Sequence, residues 1–348
     1  MVDATTRRGL IRCGAAAALF GVTTPFASRL IEHTTAPVLA GLLYLGAALA
    51  VLPFVGRRRL QPRLLRRGGP RLAVAVVAGG FLGPLLLAAG LARTPAATAS
   101  VLLNLELVAT TVLAAWLFHE HIGRRVGLGT VAVVAGGAVL VWDGAPDLRL
   151  GALLIAGACL CWGLDNCVTA DLDELAPEHI TLAKGVVAGT TNVALGFLLG
   201  AALPSPGLVV AALVVGALGY GASITLWVAG ARDLGAARGQ LVFATAPFIG
   251  VLVAWLVLGD PVRGAQVLAL VLAAIGVSGV AGSQHLHEHD HHVQAHDHDH
   301  DHDDGHHDHD HDHSDVPDGR HAHLHEHATL VHAHSHVPDL HHRHDHST

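Results

Sequence analysis

A long internal repeat constrains the fold of this chain more than any other feature of its sequence. Shifted by 140 positions, the stretch from Gly79 to Leu140 matches the stretch from Gly219 to Val280 without a gap. The acid that follows the long apolar run keeps its place, because Glu120 aligns with Asp260. A repeat of this kind indicates a duplicated structural unit. We therefore expect two similar halves.

Each half consists of apolar runs that are long enough to cross a membrane. Hydrophobic residues make up 51% of the 348 residues, although the last part of the chain is almost wholly polar. A helix needs about 20 apolar residues to cross the hydrocarbon core of a bilayer. Ten such runs lie at roughly 10–31, 36–55, 72–92, 97–118, 126–142, 151–170, 181–202, 208–230, 237–258 and 264–281. The sequence thus predicts an all-α polytopic membrane protein with ten transmembrane helices.

The odd number of spans in each half decides how the halves are related. Five spans end on the opposite side of the membrane from where they begin, so the second half must be inverted. Inverted repeats around a central site are a common plan for alternating access. We predict two inverted five-helix repeats, at residues 8–142 and 151–282, followed by a disordered His/Asp-rich tail at 283–348.

Loop charges predict the orientation of these spans. With a cytoplasmic N-terminus, 15 Lys and Arg residues outside the tail fall on the cytoplasmic side and 4 on the other side. This bias follows the positive-inside rule, and ten spans then place both termini in the cytoplasm. The expected location is a bacterial inner (plasma) membrane. The basic loop at 56–71 anchors this topology, and a cleaved signal peptide is the rival interpretation of the first span.

Glycine and proline interrupt two spans at matching positions of the halves. The third predicted span contains Gly79, Gly80, Gly83 and Pro84, and the eighth contains Gly216, Gly219, Tyr220, Gly221 and Ser223. Interrupted segments at corresponding positions point to a transporter's binding site. Ordinary close packing of small residues is the alternative interpretation.

Three charged residues, Glu106, Asp165 and Lys184, lie inside predicted spans. A charge at the centre of a span costs about 2.5–3.5 kcal/mol on insertion scales, so each residue needs a partner or a function. We interpret Glu106 either as a carboxylate that takes up a proton or contacts a cationic substrate, or as a hydrogen-bonded structural acid. Asp165 and Lys184 have similar depths in adjacent spans, which predicts a structural ion pair or residues that line a substrate path.

The spans lack the usual signature of a metal carrier, because no histidine lies inside a predicted span. The His-Glu-His sequence at 119–121 can coordinate a metal ion, but an exposed charged helix end is the simpler interpretation. Cys161 and Asp165 share a helix face and can form a soft site with Cys167 nearby. All four cysteines are better explained as small apolar packing residues.

The tail is the strongest chemical signal in the sequence. Residues 283–348 hold 25 of the 29 histidines and 15 of the 28 acids, so they cannot bury an apolar core. Neutral imidazole is a good ligand for Zn²⁺, Ni²⁺ and Co²⁺, which predicts several exchangeable metal sites. A solvated low-complexity tail and a pH-responsive tail are the alternatives. The candidate ligands are His285, His287, His289, His291, His292, His296, His298, His300, His302, His306, His307, His309, His311 and His313.

Several motifs in the two halves are similar to those of a known family. The first half contains ASVLLNLELVATTVLAAWLFHEH, and the second contains CWGLDNCVT, LAKGVVAGTTN and LGAARGQLVFATAPFIGVLVAWLVLGD. In these motifs, and over about residues 8–282, the chain resembles EamA-type permeases of the drug/metabolite transporter superfamily. The resemblance implies a ten-span permease made of two EamA repeats. It also implies that helices around a central cavity carry Asn104, Glu106, Asp165, Asn166 and Lys184.

These observations predict a secondary transporter with its site between the two repeats. The expected path is lined by the third, fourth, eighth and ninth spans. Its candidate residues are Glu106, Asn104, Asp165, Asn166, Lys184 and Tyr220. We expect export of a small metabolite or of a divalent metal or metal complex. A metal-buffering or metal-sensing membrane protein, whose spans act mainly as an anchor, is the alternative.

The sequence also predicts which partners and cofactors the chain takes. It contains no nucleophile–base constellation, cofactor motif or ATP-binding loop, so we expect neither an enzyme nor a required cofactor. The expected partners are membrane lipid, a small-molecule or metal substrate, and Zn, Ni or Co on the tail. We expect no nucleic-acid partner, and a homodimer is left open.

Overall fold

The computed structural model divides the chain into two units by its internal contacts. The helical unit is Met1–Ser283 with Pro338–Thr348, and the strand unit is Gln284–Val337. The structure describes residues 4–55, 62–118, 123–142, 146–170, 172, 175–234, 239, 242–281, 285–291, 294–300, 321–327 and 330–336. The first part of the basic loop, the His-Glu-His sequence at 119–121 and much of the tail lie outside the described residues.

The helical unit consists of apolar helices, as expected where no water is present to bind backbone groups. In chain order its described α-helices are α1 (Ala4–Leu30), α2 (Ala36–Val55), α3 (Pro62–Ala75), α4 (Gly83–Leu91), α5 (Ala96–Leu102), α6 (Leu105–Phe118), α7 (Arg124–Trp142), α8 (Pro146–Ala170), α9 (Pro177–Ala183), α10 (Gly189–Leu198), α11 (Pro206–Gly216), α12 (Ser223–Leu234), α13 (Ala246–Leu256) and α14 (Gly264–Ala281). A short 3₁₀ helix, Ile31–His33, follows α1.

Eight helical stretches in the described ranges are long and apolar enough to cross a membrane, so the chain is a multi-pass α-helical membrane protein. They are Thr5–His33, Ala36–Val55, Gly68–Leu91, Ala96–Leu117, Arg124–Trp142, Pro146–Thr169, Pro177–Leu198 and Pro206–Gly230. These stretches correspond to the first eight predicted spans. The last two predicted spans contain the shorter apolar helices Ala246–Leu256 and Gly264–Ser278, so the count of ten remains a prediction.

Large apolar side chains cover the outer surface of the helical unit. Trp116, Trp142, Leu198 and Leu256 are 73–85% exposed. Such exposure would be unfavourable in water, whereas lipid tails solvate these side chains well. The outer surface therefore agrees with a membrane environment.

Three π-helical segments interrupt the spans: π1 (Val76–Leu82), π2 (Lys184–Ala188) and π3 (Ala217–Ala222). When the sequence is shifted by 140 residues, nearly all positions of π1 coincide with those of π3. Gly79 and Gly80 lie in π1, and Gly219 and Gly221 lie in π3, so the α-helix is interrupted at part of the positions that the sequence singled out; Gly83, Pro84 and Gly216 lie just outside these segments. A π-helical turn leaves backbone carbonyl groups for other donors and is frequent at functional sites.

Glycine allows α2 to approach its neighbours on two sides. A Cβ atom added to Gly216 at the end of α11 would overlap the backbone carbonyl of Leu43. On the other side, a Cβ atom on Gly185 in π2 would lie 2.6 Å from the carbonyl oxygen of Tyr44. Small residues at such crossings let membrane helices pack backbone to backbone.

The two halves repeat the same contacts with exchanged partners. The first helix of the second half, α8, packs on α4 and α6, while the first helix of the chain, α1, packs on α12 and α13. Gly163 in α8 lets Ala109 approach closely, because a Cβ atom at this position would crowd it. The equivalent Gly21 in α1 allows the same close approach of Ile249. Each half thus packs its first helix against the other half.

The strand unit contains two antiparallel pairs. They are β1 (His285–His291) with β4 (Leu330–His336), and β2 (Gln294–His300) with β3 (His321–His327). The register places histidine opposite histidine, for example His287 opposite His334 and His298 opposite His323. Disorder of residues 283–348 as a whole stays a prediction, since only these four segments of the tail are described. Alternation of two residue types has the period of a strand, which explains why extended segments can pair here.

Candidate functional site

Two predicted spans are broken at equivalent positions. In the fourth span, a turn at residues 103–104 separates α5 from α6. In the ninth span, a turn at residues 244–245 precedes α13, and these turns are 141 residues apart. Irregular backbone at membrane depth is tolerated where it is buried in protein or lines a cavity, and broken helices form many transporter sites.

Glu106 follows directly after the first of these breaks, in the first turn of α6. Its Oε1 atom accepts a hydrogen bond of 3.1 Å from Asn166 Nδ2, and the same nitrogen lies 3.2 Å from Thr110 Oγ1. Asn166 belongs to α8, so this hydrogen bond joins the two halves. Glu106 is partly exposed and Asn166 is exposed. Within the described ranges, no Lys or Arg side chain forms an ion pair with Glu106.

Asp165, the neighbour of Asn166 in α8, forms an ion pair with Lys184 at the start of π2. The Nζ atom of Lys184 lies 2.5 Å from Asp165 Oδ1 and 2.7 Å from Oδ2. Thr169 donates a further hydrogen bond of 3.0 Å to Oδ1. The two charged side chains are only 10% and 13% exposed, which makes the pair largely buried. The ion pair that the sequence predicted between adjacent spans is present.

The backbone of π1 is fixed beside this ion pair. The carbonyl oxygen of Gly79 accepts hydrogen bonds from Tyr44 Oη at 2.7 Å and from Trp162 Nε1 at 3.1 Å. A Cβ atom on Gly79 would overlap the carboxylate of Asp165, so glycine is needed for this close approach. We name Glu106, Asp165, Asn166 and Lys184 the central polar cluster.

The charges of the central polar cluster have no counterpart in the other half. Asp165 is equivalent to Thr23, which packs against Gly219 as Asp165 packs against Gly79. Glu106 is equivalent to Ala246 at the start of α13. Among the described residues, the charges beside π1 and π2 are thus not repeated at the equivalent positions Thr23 and Ala246.

The structure brings four of the six predicted path residues together and separates the other two. Asn104 is buried at the break, where its Nδ2 atom donates to Val101 of its own helix at 3.0 Å. Tyr220 is buried in π3 and packs against Tyr44, with ring centroids 5.3 Å apart. Tyr44 and Trp162 were not predicted from the sequence. Their signal there is weak: Tyr44 is one of just two tyrosines in the chain, and Trp162 is one of five tryptophans.

One end of the helical unit is held together by Asp233, and we name it the Asp233 end. The Asp233 carboxylate lies 3.2 Å from Arg8 and 2.7 Å from Arg12, so it joins α12 to the start of α1. Burial raises the pKa of Asp233, but the hydrogen bonds and charges of Arg8 and Arg12 outweigh this effect. The pKa therefore lies below its usual value.

The opposite end, named the Asp260 end, is closed by hydrogen bonds between the halves. Asp260 accepts a bond of 3.3 Å from the backbone N–H of Ala97 in α5. Gln266 is 2% exposed and binds both Trp255 and Thr98, at 3.2 and 3.0 Å. A cavity of about 370 Å³ at this end is lined in part by Asp260 and does not include the central polar cluster.

Metal ligands do not gather in the described part of the chain. Within those residues, no group of three or more His, Cys, Asp or Glu side chains is placed to hold a metal ion. Cys161, Asp165 and Cys167 thus do not form the soft site considered above. The His-Glu-His sequence at 119–121 lies outside the described residues, and its interpretation stays a prediction.

Comparison with known proteins identifies the family. The EamA-like transporter family matches residues 7–142 and 149–282, which correspond to the two halves described above. The chain belongs to the EamA-like transporter family. This result confirms the two EamA repeats and supports a membrane transporter rather than an enzyme.

Individual relatives of this EamA-like protein carry no assigned substrate. An uncharacterized transporter from Methanothermobacter thermautotrophicus is 25% identical over 225 residues, which cover 62% of this chain and 66% of the relative. An uncharacterized transporter from Synechocystis sp. is 31% identical over 131 residues, covering 37% of this chain and 38% of the relative. A crystal structure with 19% identity superposes with a TM-score of 0.57 over 81% of this chain and 99% of its own, which supports the fold alone.

Proposed function

We propose that this protein is a secondary transporter that exports a small metabolite through the central polar cluster, with Glu106 as its coupling or substrate-binding carboxylate. The observation that carries the proposal is the position of Glu106. It follows a helix break, contacts the other half through Asn166, and has no cationic partner among the described side chains. Such a carboxylate can take up a proton or bind a cation when its exposure changes. A divalent metal or metal complex is the other cargo that we consider.

The packing of the broken helix supports loading from the Asp233 end. All seven residues of α5, on the side of the Asp260 end, are buried. On the other side of the break, part of the exposed surface of α6 faces lipid, as Trp116 does, but Glu106 is partly exposed and Asn166 is exposed at the cluster itself. The positive-inside rule assigns the Asp233 end to the cytoplasm. We therefore propose that the cluster is reached from the cytoplasm, in a bacterial inner membrane, with both termini on that side.

Glu106→Gln is expected to abolish export, because glutamine keeps the shape and the bond to Asn166 but cannot exchange a proton. The experiment compares the media of cells that lack the protein, cells that make it, and cells that make the Glu106→Gln variant. Untargeted mass spectrometry of small solutes is the measurement. We expect at least one solute to be enriched with the intact protein and to fall to the level of cells without it in the variant.

Glu32→Gln is the matched control, since this exposed carboxylate lies at the Asp260 end and pairs with the exposed Arg29. It should leave the enriched solute unchanged. Export by Glu106→Gln at the level of the intact protein would exclude the coupling role of Glu106. If no solute differs between cells with and without the protein, metabolite export itself is wrong.

We also propose that the tail binds divalent metal, because its sequence repeats histidine at alternate positions and neutral imidazole is a good ligand for such ions. A chain stopped after Gly282 is expected to lose most of the Zn, Ni and Co that the purified full-length protein retains. Under metal challenge, cells with the intact protein should contain less metal than cells with the shortened chain. If a free tail protects cells equally well, the spans act mainly as an anchor, as in the alternative function above.

A further inference from the structure

Side-chain hydrogen bonds attach α5, the first part of the broken fourth span, to the second half. Asp260, in the loop after α13, accepts a bond of 3.3 Å from the backbone N–H of Ala97. Gln266, in α14, donates through Nε2 to Thr98 Oγ1 at 3.0 Å. We name these four residues the α5 latch. Both bonds join the two halves at the end from which an exported solute would leave.

Gln266 is held in place by its own half. Its side chain is 2% exposed, and its Oε1 atom accepts from Trp255 Nε1 at 3.2 Å and from the backbone N–H of Arg263 at 3.1 Å. Both partners are donors, so the amide oxygen must face them and the amide nitrogen must face Thr98. The bond to Thr98 can therefore break and form again without reorienting Gln266.

The ends of α5 allow it to move as a unit. The residue before it, Pro95, has extended backbone, with φ −54° and ψ 145°. At the other end, the backbone N–H of Asn104 bonds to Val101 and that of Glu106 bonds to Leu103, which departs from the α-helical pattern. Hinges are commonly formed by such residues at the ends of elements. Movement at the second hinge would act directly on Glu106.

The surface between α5 and the second half is made of small residues. The first five residues of α5 are alanine, threonine or serine, and the helix packs chiefly on α13. A Cβ atom on Gly250 in α13 would lie 2.7 Å from Ser100 Oγ. Lipid tails are as apolar as these side chains, so hydrophobic burial does little to hold membrane helices together. Hydrogen bonds such as those of the α5 latch thus contribute a larger share.

The cavity at the Asp260 end begins where the α5 latch lies. Asp260 and Ala96, the first residue of α5, are among the residues that line this cavity of about 370 Å³. The other end of α5 is the break that precedes Glu106. This short helix therefore extends from the cavity to the central polar cluster.

We propose that the α5 latch is the release gate of the transporter proposed above, a proposal that rests on that function. While Asp260 and Gln266 hold α5, the Asp260 end is closed and the central polar cluster is reached from the Asp233 end. When both bonds break, α5 turns at its two hinges and opens the cluster to the cavity.

The test measures thiol accessibility in the purified full-length protein in lipid nanodiscs, and thus does not depend on transport. The four native cysteines are replaced by alanine, and one new thiol is introduced at a time. Ser100→Cys reports on the buried face of α5. Thr110→Cys reports on the central polar cluster, because Thr110 is partly exposed and lies 3.2 Å from Asn166. Intact-mass spectrometry measures the rate of modification by N-ethylmaleimide.

Two variants open the α5 latch in different ways. Asp260→Ala removes the acceptor for Ala97, and Gln266→Leu keeps the side-chain volume but cannot bind Thr98. Each should raise the rate at Ser100→Cys about threefold or more, the effect of one lost interhelical hydrogen bond. Each should also lower the rate at Thr110→Cys, because alternating access closes one end as the other opens. Asp260→Asn keeps an acceptor oxygen and should leave both rates nearly unchanged.

Ser205→Ala is the matched control. Ser205 lies at the same end, where it lines a second cavity together with His33. Its Oγ atom accepts a bond of 3.3 Å from the N–H of Leu208, so the bond stays within one half. Its loss should change neither rate. Each variant is checked for a single peak on size-exclusion chromatography.

Two results would overturn the proposal. One is an unchanged rate at Ser100→Cys in Asp260→Ala and Gln266→Leu. The other is a rise there without a fall at Thr110→Cys, which indicates general loosening and not a gate. Neither result bears on whether Glu106→Gln abolishes export, so the gate can fail while the transport function stands. Opposite changes at the two thiols without any exported solute would keep the gate and exclude metabolite export.

Discussion

Replacing Lys184 with methionine is expected to lower the free energy of unfolding by about 3–5 kcal/mol, the usual effect of removing one partner of a buried ion pair. The reason is that Asp165, whose side chain is 10% exposed, would keep its carboxylate inside a span without a cation. Unfolding of the purified protein by increasing fractions of sodium dodecyl sulfate in mixed micelles, followed by circular dichroism, is the measurement.

A second substitution shows whether the unpaired carboxylate is the cause. Asp165→Asn combined with Lys184→Met should recover most of the lost stability, because asparagine keeps the shape and the bond from Thr169. Neutral replacements of buried ion pairs are often as stable as the pair itself. A double variant as unstable as Lys184→Met alone would mean that packing, not charge, accounts for the loss.

An exposed ion pair provides the control for this experiment. Arg29 and Glu32 lie 3.3 Å apart, but their side chains are 48% and 52% exposed. Exposed pairs contribute about 0–1 kcal/mol, since water and salt screen them. Glu32→Gln should therefore change the unfolding free energy by no more than about 1 kcal/mol.

Gly216→Ala is expected to destabilise the protein by about 1–3 kcal/mol, as overpacking does, although alanine is the better helix former. The added methyl group would overlap the backbone carbonyl of Leu43 in α2, and a backbone atom cannot rotate away. Gly216→Leu should prevent recovery of folded protein. The same unfolding experiment and size-exclusion chromatography measure both variants.

Gly14→Ala is the matched control, since nothing lies within 4 Å of the added methyl group in α1. It should leave stability unchanged or raise it by up to about 1 kcal/mol through helix propensity. Opposite signs for the same substitution would show that the crossing of α11 and α2 sets the requirement for glycine. Equal effects at both positions would contradict this explanation.

Most of the fold followed from the sequence because apolar runs and the internal repeat act over long stretches. The first eight spans, the two repeats and the interruptions by glycine at π1 and π3 were predicted correctly. The short length of α13 was not predicted, because the apolar run of the ninth span continues through the turn at 244–245. Pro247, in the first turn of α13, was a signal for a new helix start that the span pattern concealed.

The candidate site was only partly accessible from the sequence. Mid-span charges identified Glu106, Asp165 and Lys184, since a charge in a membrane is costly wherever it lies. Tyr44 and Trp162 gave no comparable signal, because an aromatic residue in a span is ordinary. Their role depends on the free carbonyl of Gly79, which exists only because π1 departs from α-helical hydrogen bonding.

The sequence by itself determined a duplicated, membrane-spanning helical protein, because burying apolar residues in lipid depends on composition along each segment and not on distant contacts. Only the tertiary structure decided that Glu106 of the first half comes together with Asp165 and Lys184 of the second half beside π1. It also decided that Lys184 pairs with Asp165, whereas Glu106 has no ion pair with any side chain that the structure describes. Pairing of charges depends on distances of a few ångströms between helices far apart in sequence, and a linear pattern cannot supply these distances.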